Sequence, residues 1–223
     1  MHTAHRDSSE LEQRPPIKIF LSYATEDKIV VRETAVALSD LGLATFLALR
    51  DFRPAAEWLP RLEHELTTSD ALAAFLSPAF RASAWADQEV GYAVAKKKKL
   101  LPIQLDLVSV PHGFIEPYQA ILASEMTSRD IAVSIFDSLS DYDDTSLYLK
   151  YLVISRLGSQ RSEGSLRMWA ERLARLPELS DTERKAVSAA LDANSMIATD
   201  PVLRTDIVTI IRRLRTRIEP ETL

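Results

Sequence analysis

Residues Ser83–Ile103, SAWADQEVGYAVAKKKKLLPI, read as a helix running into a buried strand. Ser83 suits an N-cap, where a side-chain oxygen accepts from an orphan backbone N–H, and Asp87 falls near the positive end of the helix. Trp85 and Glu89 stand four apart, which places them one above the other on a helical face, with Tyr92 next along. Ala86, Val90, Ala93 and Val94 make a second, small and apolar stripe suited to packing on a sheet. A carboxylate beside a large aromatic near a helix start marks a place for a shielded site. Spacing alone also fits a surface glutamate beside a core tryptophan.

Working outward, short apolar runs alternate with amphipathic ones. IKIFLSYA (17–24), LATFLAL (43–49), ALAAFLS (71–77) and KLLPIQL (99–105) have strand length and composition. YQAILAS (118–124) is either a fifth strand or a short helical turn. Thr25-Glu26-Asp27 supplies a cap and acidic first turn for a helix from about Asp27 to Leu41. Its expected apolar stripe is Ile29, Val30, Val36, Ala37 and Leu41, and Gly42 stops it. After the loop Arg50–Trp58, a helix carries Trp58, Leu59, Leu62 and Leu66, and Ser128 is expected to cap another through Ile131, Ile135 and Leu139. Strands that alternate with helices form a parallel sheet with helices on both faces, because parallel neighbours need a crossover. In such sheets ligands bind beyond the carboxyl ends of the strands. Those ends are the loops at 22–27, 50–58, 77–85 and 105–117, and Glu89 lies one turn into the helix after the third.

From about Asp141 the strand signals cease and helical segments follow. Ser180-Asp181-Thr182-Glu183 reads as a capping box opening a helix to about Ile197, and Asp200-Pro201 as an N-cap with proline at the first helical position. The last helix carries Leu203, Ile207, Ile210, Ile211, Leu214 and Ile218 on one face and five arginines over much of the remainder. Three parts are expected: a disordered lead (1–16), an α/β domain (17–140) and a helical C-terminal domain (141–223).

The chain of 223 residues carries a net charge of −5, and no nucleic acid is expected as partner. Having no cysteine excludes disulfides and thiolate chemistry and suits a reducing compartment. The four histidines are scattered without metal-ligand spacing, so no metal is expected. No apolar run approaches a membrane span and no signal-peptide core opens the chain, so a cytoplasmic protein without membrane association is expected. Neither GxGxxG nor a Walker pattern occurs, which argues against an ordinary redox dinucleotide fold and an NTPase. A GxSxG elbow is also lacking.

Four pieces in order, IKIFLSYATED (17–27), GLATFLALRDFRPAAEW (42–58), AFLSPAF (74–80) and SAWADQEVGYA with LLPI (83–103), resemble a Toll/interleukin-1 receptor (TIR) domain of the bacterial type. The resemblance covers about 17–140 and none of the C-terminal helices. It implies the TIR fold, a flavodoxin-like parallel sheet flanked by helices, here followed by an all-α segment. Enzymatic members cleave NAD+ at the nicotinamide–ribose bond with a glutamate in a WxxxE arrangement, which falls on Trp85 and Glu89. NAD+ would be substrate, with no separate cofactor. The resemblance further places Ser22, Tyr23 and Thr25 beside the pocket and Trp58 at an aromatic ligand-contact position; a core anchor is the alternative for Trp58. Arg50, Asp51, Phe52, Arg53 and Pro54 match the loop through which family members self-associate. Ala48 departs from the acidic residue common at the second strand end, and Ala55-Ala56 from the glycine-containing turn of that loop. The resemblance implies either an NAD glycohydrolase, whose product is ADP-ribose or a cyclic isomer, or a non-catalytic TIR–TIR interaction module. It points to bacterial immune signalling or antiphage defence, with the C-terminal helices controlling assembly or sensing a trigger.

Overall fold

The computed structural model of the protein describes residues 14–47 and 55–215. Five parallel strands form one sheet: β1 (Lys18–Ser22), β2 (Ala44–Leu47), β3 (Ala71–Leu76), β4 (Lys99–Gln104) and β5 (Ile121–Leu122). Their spatial order is β2-β1-β3-β4-β5. This is the flavodoxin-like order, in which chain direction across the sheet reverses between β1 and β3. The central strand β3 is buried at all six positions, as expected of a strand covered on both faces. Pro102 lies in β4 opposite Ala74, before β5 begins to pair at Ile103, so its missing N–H faces no second strand.

Between strands run α1 (Lys28–Asp40), α2 (Ala55–Thr68), the short α3 (Pro78–Arg81), α4 (Ala84–Ala95) and α5 (Ser128–Leu139). Phe20, Leu72, Ala74, Leu76 and Leu100 share one sheet face by the two-residue alternation and pack with Leu62, Leu66, Ala86, Val90 and Ala93 of α2 and α4.

Several local expectations are corrected. In α1 the buried face is Val31, Thr34, Ala35 and Leu38, whereas Ile29 and Val36 are exposed. The true stripe has the i, i+3, i+4, i+7 spacing, but Thr34 disguises it; its hydroxyl is satisfied by the Val30 carbonyl at 2.8 Å. Asp27 makes no side-chain cap to α1, because its carboxylate is engaged elsewhere. In α2, Leu62 and Leu66 are buried but Leu59 is exposed. Thr127, not Ser128, caps α5: its hydroxyl accepts from Asp130 N–H, while Asp130 accepts from the Thr127 N–H and hydroxyl. Ser128 instead donates to Glu33 of α1. Residues 118–124 hold the short strand β5.

The described residues divide into two compact units, one within 15–138 and a second made of Arg14 with 139–215. The second contains α6 (Asp143–Ser159), α7 (Glu163–Arg175), α8 (Asp181–Ala193), α9 (Ser195–Thr199) and α10 (Pro201–Arg215). Its core joins Leu149, Val153 and Leu157 of α6 with Leu166, Trp169 and Leu173 of α7 and Ile207 of α10. The helix expected to run to Ile197 is broken at Asn194, which lies between α8 and α9. Ser180 and Glu183 form the capping box, and Asp200 caps α10 through Val202 and Leu203 N–H. Among the described residues, no helix is long and apolar enough to cross a membrane.

Candidate functional site

Helix α4 opens as its sequence requires, with Ser83 accepting from the Ala86 N–H at 3.4 Å. Its buried residues are Ala86, Glu89, Val90 and Ala93, an i, i+3, i+4, i+7 series. Glu89 therefore occupies an inward position of the apolar stripe and is 2 % exposed, while Trp85, one turn before it, is 42 % exposed. Trp85 and Glu89 share a helical edge but not an environment. The burial of Glu89 is readable in the sequence only by placing a glutamate in a core position, against the ordinary preference of charged side chains for solvent.

Strand β1 brings the partner. Ser22 ends the strand on the face of Phe20, two residues on, and is fully buried. Its hydroxyl donates to Glu89 Oε2 at 2.5 Å, at the short end of the range for O–H···O bonds. The pair lies at the carboxyl end of β1, at the point where the strand order reverses, which is the place open α/β sheets use for ligands.

The other expected residues scatter around this point. Tyr23 is buried, Ala24 joins the core beneath α4, and Thr25 is exposed at the start of a short 3-10 turn, Thr25–Asp27. Arg50, Asp51, Phe52, Arg53 and Pro54 lie outside the described residues, as do Ala48 and the side chain of Trp58.

Two contacts near the strand ends were not legible beforehand. Ser77, after β3, donates to Asp27 Oδ2 at 2.6 Å and accepts from Phe80 N–H, tying the β1 and β3 loops together. Partial burial holds the Asp27 carboxyl above its ordinary range; the Ser77 hydroxyl opposes this, while Glu26 and Asp106 reinforce it. The loop after β4 is anchored on α4. His112 Nε2 lies 3.2 Å from Asp87 Oδ1, and Ile115 is buried in the same core cluster. Asp106 stiffens the start of that loop by accepting from Val108 N–H, Ser109 N–H and the Ser109 hydroxyl, bonds that lower its pKa. No group of histidines, aspartates and glutamates suited to holding a metal occurs among the described residues.

Chemically, the site presents one carboxylate, held by a hydroxyl and set among small apolar side chains. Placing a carboxylate there costs free energy unless the group is well hydrogen-bonded, and the Ser22 hydroxyl supplies one such bond.

The family model described as TIR domain matches residues 19–135. Among solved structures, the chain is similar to the TIR domain of the Toll-related receptor TRR-2 from Hydra magnipapillata. Identity there is 21%, covering 52% of this chain and 92% of that one, with a TM-score of 0.44. It is also similar to the TIR domains of the activated Roq1 resistosome, which directly recognizes the pathogen effector XopQ. That match has 14% identity, covers 91% of this chain and 99% of that one, and has a TM-score of 0.37. No curated protein matches the chain.

Proposed function

The chain belongs to the TIR domain family, and from that premise we propose that it is an NAD glycohydrolase with Glu89 as its catalytic residue. The observation that carries this is the Glu89 carboxylate, 2 % exposed in an apolar stripe and held by Ser22 at the carboxyl end of β1, where the strand order reverses. In the reaction the bond between ribose C1′ and the pyridinium nitrogen breaks, and both electrons leave with nitrogen. Nicotinamide thereby departs neutral, so no general acid is needed, unlike glycoside hydrolysis, where a carboxylic acid protonates the leaving oxygen. Water oxygen then bonds to C1′ and a proton is released, giving ADP-ribose. If a nucleophile within the ADP-ribose moiety reaches C1′ instead, the product is a cyclic isomer.

Glu89 holds the ribose hydroxyls and stabilises the positive charge that builds on the sugar. A fixed carboxylate in a water-poor site does this strongly, and each ~1.4 kcal/mol is tenfold in rate. Trp85, partly exposed one turn away, stacks on the nicotinamide and excludes water. Thr25, exposed beside Glu26 in the β1 loop, is available to substrate. With Glu89 closed to solvent, substrate entry requires neighbouring side chains to move, and self-association through the TIR domain is the step that opens the site. The biological setting that fits is bacterial immune signalling or antiphage defence.

The test is nicotinamide release from NAD+ across protein concentrations that span self-association, with mass spectrometry of the sugar product. The expected outcome is release by the assembled wild-type protein and a fall of at least about 100-fold in Glu89→Gln. Gln keeps the shape of Glu89 and an acceptor for Ser22, so Glu89→Gln should melt no lower than wild type within about 1 kcal/mol. Equal release by the two proteins would remove Glu89 from the chemistry.

A separate observation supports a second reading, a TIR–TIR interaction module without catalysis. Leu107, Val108, Val110, Phe114 and Leu122 are exposed within one short stretch around β5, where apolar side chains suit a partner surface. That reading expects self-association without nicotinamide release.

A further inference from the structure

We propose that Ser22 is a positioning residue: its buried hydroxyl holds the Glu89 carboxylate in the orientation that meets the ribose. The inference rests on the hydrolase function proposed above and assigns Ser22 a different role from the substrate contact expected by family resemblance. Ser22 is fully buried and its one hydroxyl proton is committed to Glu89, which leaves it no donor for a substrate. Its oxygen lies 2.5 Å from Glu89 Oε2, a bond to the carboxylate across 67 residues of sequence.

The two ends of this bond differ in stiffness. Ser22 is the last residue of a strand paired on both sides, opposite Ala74 of β3, and has a single side-chain torsion before its hydroxyl. Glu89 has three torsions on a helix that packs over the strand. A stiff donor thus orients a flexible acceptor. Both groups are polar in a core position, and each offsets part of the desolvation of the other. An apolar pair of similar size would serve packing equally well, so the serine is accounted for by what it does to the carboxylate.

The experiment is steady-state NAD+ cleavage by the full chain as wild type, Ser22→Ala, Ser22→Thr, Glu89→Asp and the Ser22→Ala/Glu89→Asp double variant. Loss of the hydroxyl should lower kcat about 10- to 100-fold, the range for a hydrogen bond to a charged group, with KM changed by less than about twofold. Ser22→Thr keeps the hydroxyl and should recover most of the loss. Glu89→Asp withdraws the carboxylate from Ser22, so in that background Ser22→Ala should cost less than about twofold further. Unchanged kcat in Ser22→Ala overturns the proposal, as does a rise in KM alone, which marks direct substrate contact. Equal losses from Ser22→Ala in the wild-type and Glu89→Asp backgrounds mark a merely structural role and overturn it too. Where Ser22→Ala fails to fold, Ser22→Cys, a near-isostere with a weak donor, carries the same comparison. Absence of nicotinamide release by wild type sinks the hydrolase function and this proposal together; release by wild type with an indifferent Ser22 sinks only this one.

Discussion

Asp27 shows how a side chain at a strand end takes its properties from other elements. Burial raises its pKa above the ordinary 3.8, so the folded chain binds this proton more tightly than the unfolded chain. Its contribution to stability is therefore fully present below about pH 3.8 and is lost as pH rises through the raised value. Asp27→Asn removes that loss while keeping an acceptor for Ser77. Its melting temperature relative to wild type should climb as pH goes from about 3 to about 7, read by calorimetry across that range. A flat difference would mean that the carboxyl is not shielded. At this scale the sequence pointed to Glu89 through the WxxxE spacing, but it set Glu89 on the face of Trp85. A helix of period 3.6 gives Glu89 two sets of neighbours, Trp85 on one side and Ala86, Val90 and Ala93 on the other. Which set goes inward is decided by the sheet surface beneath, where the hydroxyl of Ser22 receives the carboxylate.

Elements tell the same story through their ends and faces. Asn194 is 1 % exposed and serves two helices at once. Its Oδ1 accepts from Met196 and Ile197 N–H to cap α9, and its Nδ2 donates to the carbonyls of Leu157 and Gln160 at the end of α6. Asn194→Ala should cost about 2–4 kcal/mol, the sum of a lost cap and buried carbonyls left unmet, measured as a shift of the urea midpoint at constant slope. A change below about 0.5 kcal/mol would show that water replaces the side chain. Caps lying next to their helix in sequence, Ser83, Ser180 and Asp200, were legible because such bonds span two or three residues. The break at Asn194 was not, since the bonds its Nδ2 donates go to residues 34 to 37 positions earlier. Helix α1 failed in another way: a buried threonine, satisfied by its own helix, read as polar and rotated the expected stripe away from Val31, Ala35 and Leu38.

At the scale of the whole molecule, the sheet unit and the helical unit each carry a core of their own. Removing 139–223 should leave the sheet unit folded, seen as retained strand signal in far-UV circular dichroism. If the helical unit controls assembly, the same truncation should shrink the particle in light scattering and lower nicotinamide release at least about tenfold; unchanged size and rate would leave it a mere appendage. The sequence alone determined that strands and helices alternate to about residue 140 and give way to helices, because hydrophobic period and turn chemistry act within a turn or two of the chain. Through the family resemblance it pointed as well to Glu89 as the carboxylate to test. Only tertiary structure decided that this carboxylate points inward onto Ser22, and that Ser77 rather than α1 engages Asp27. Those pairs stand 67 and 50 residues apart, and their meeting depends on strand order and on the roll of each helix over the sheet, which no local pattern encodes.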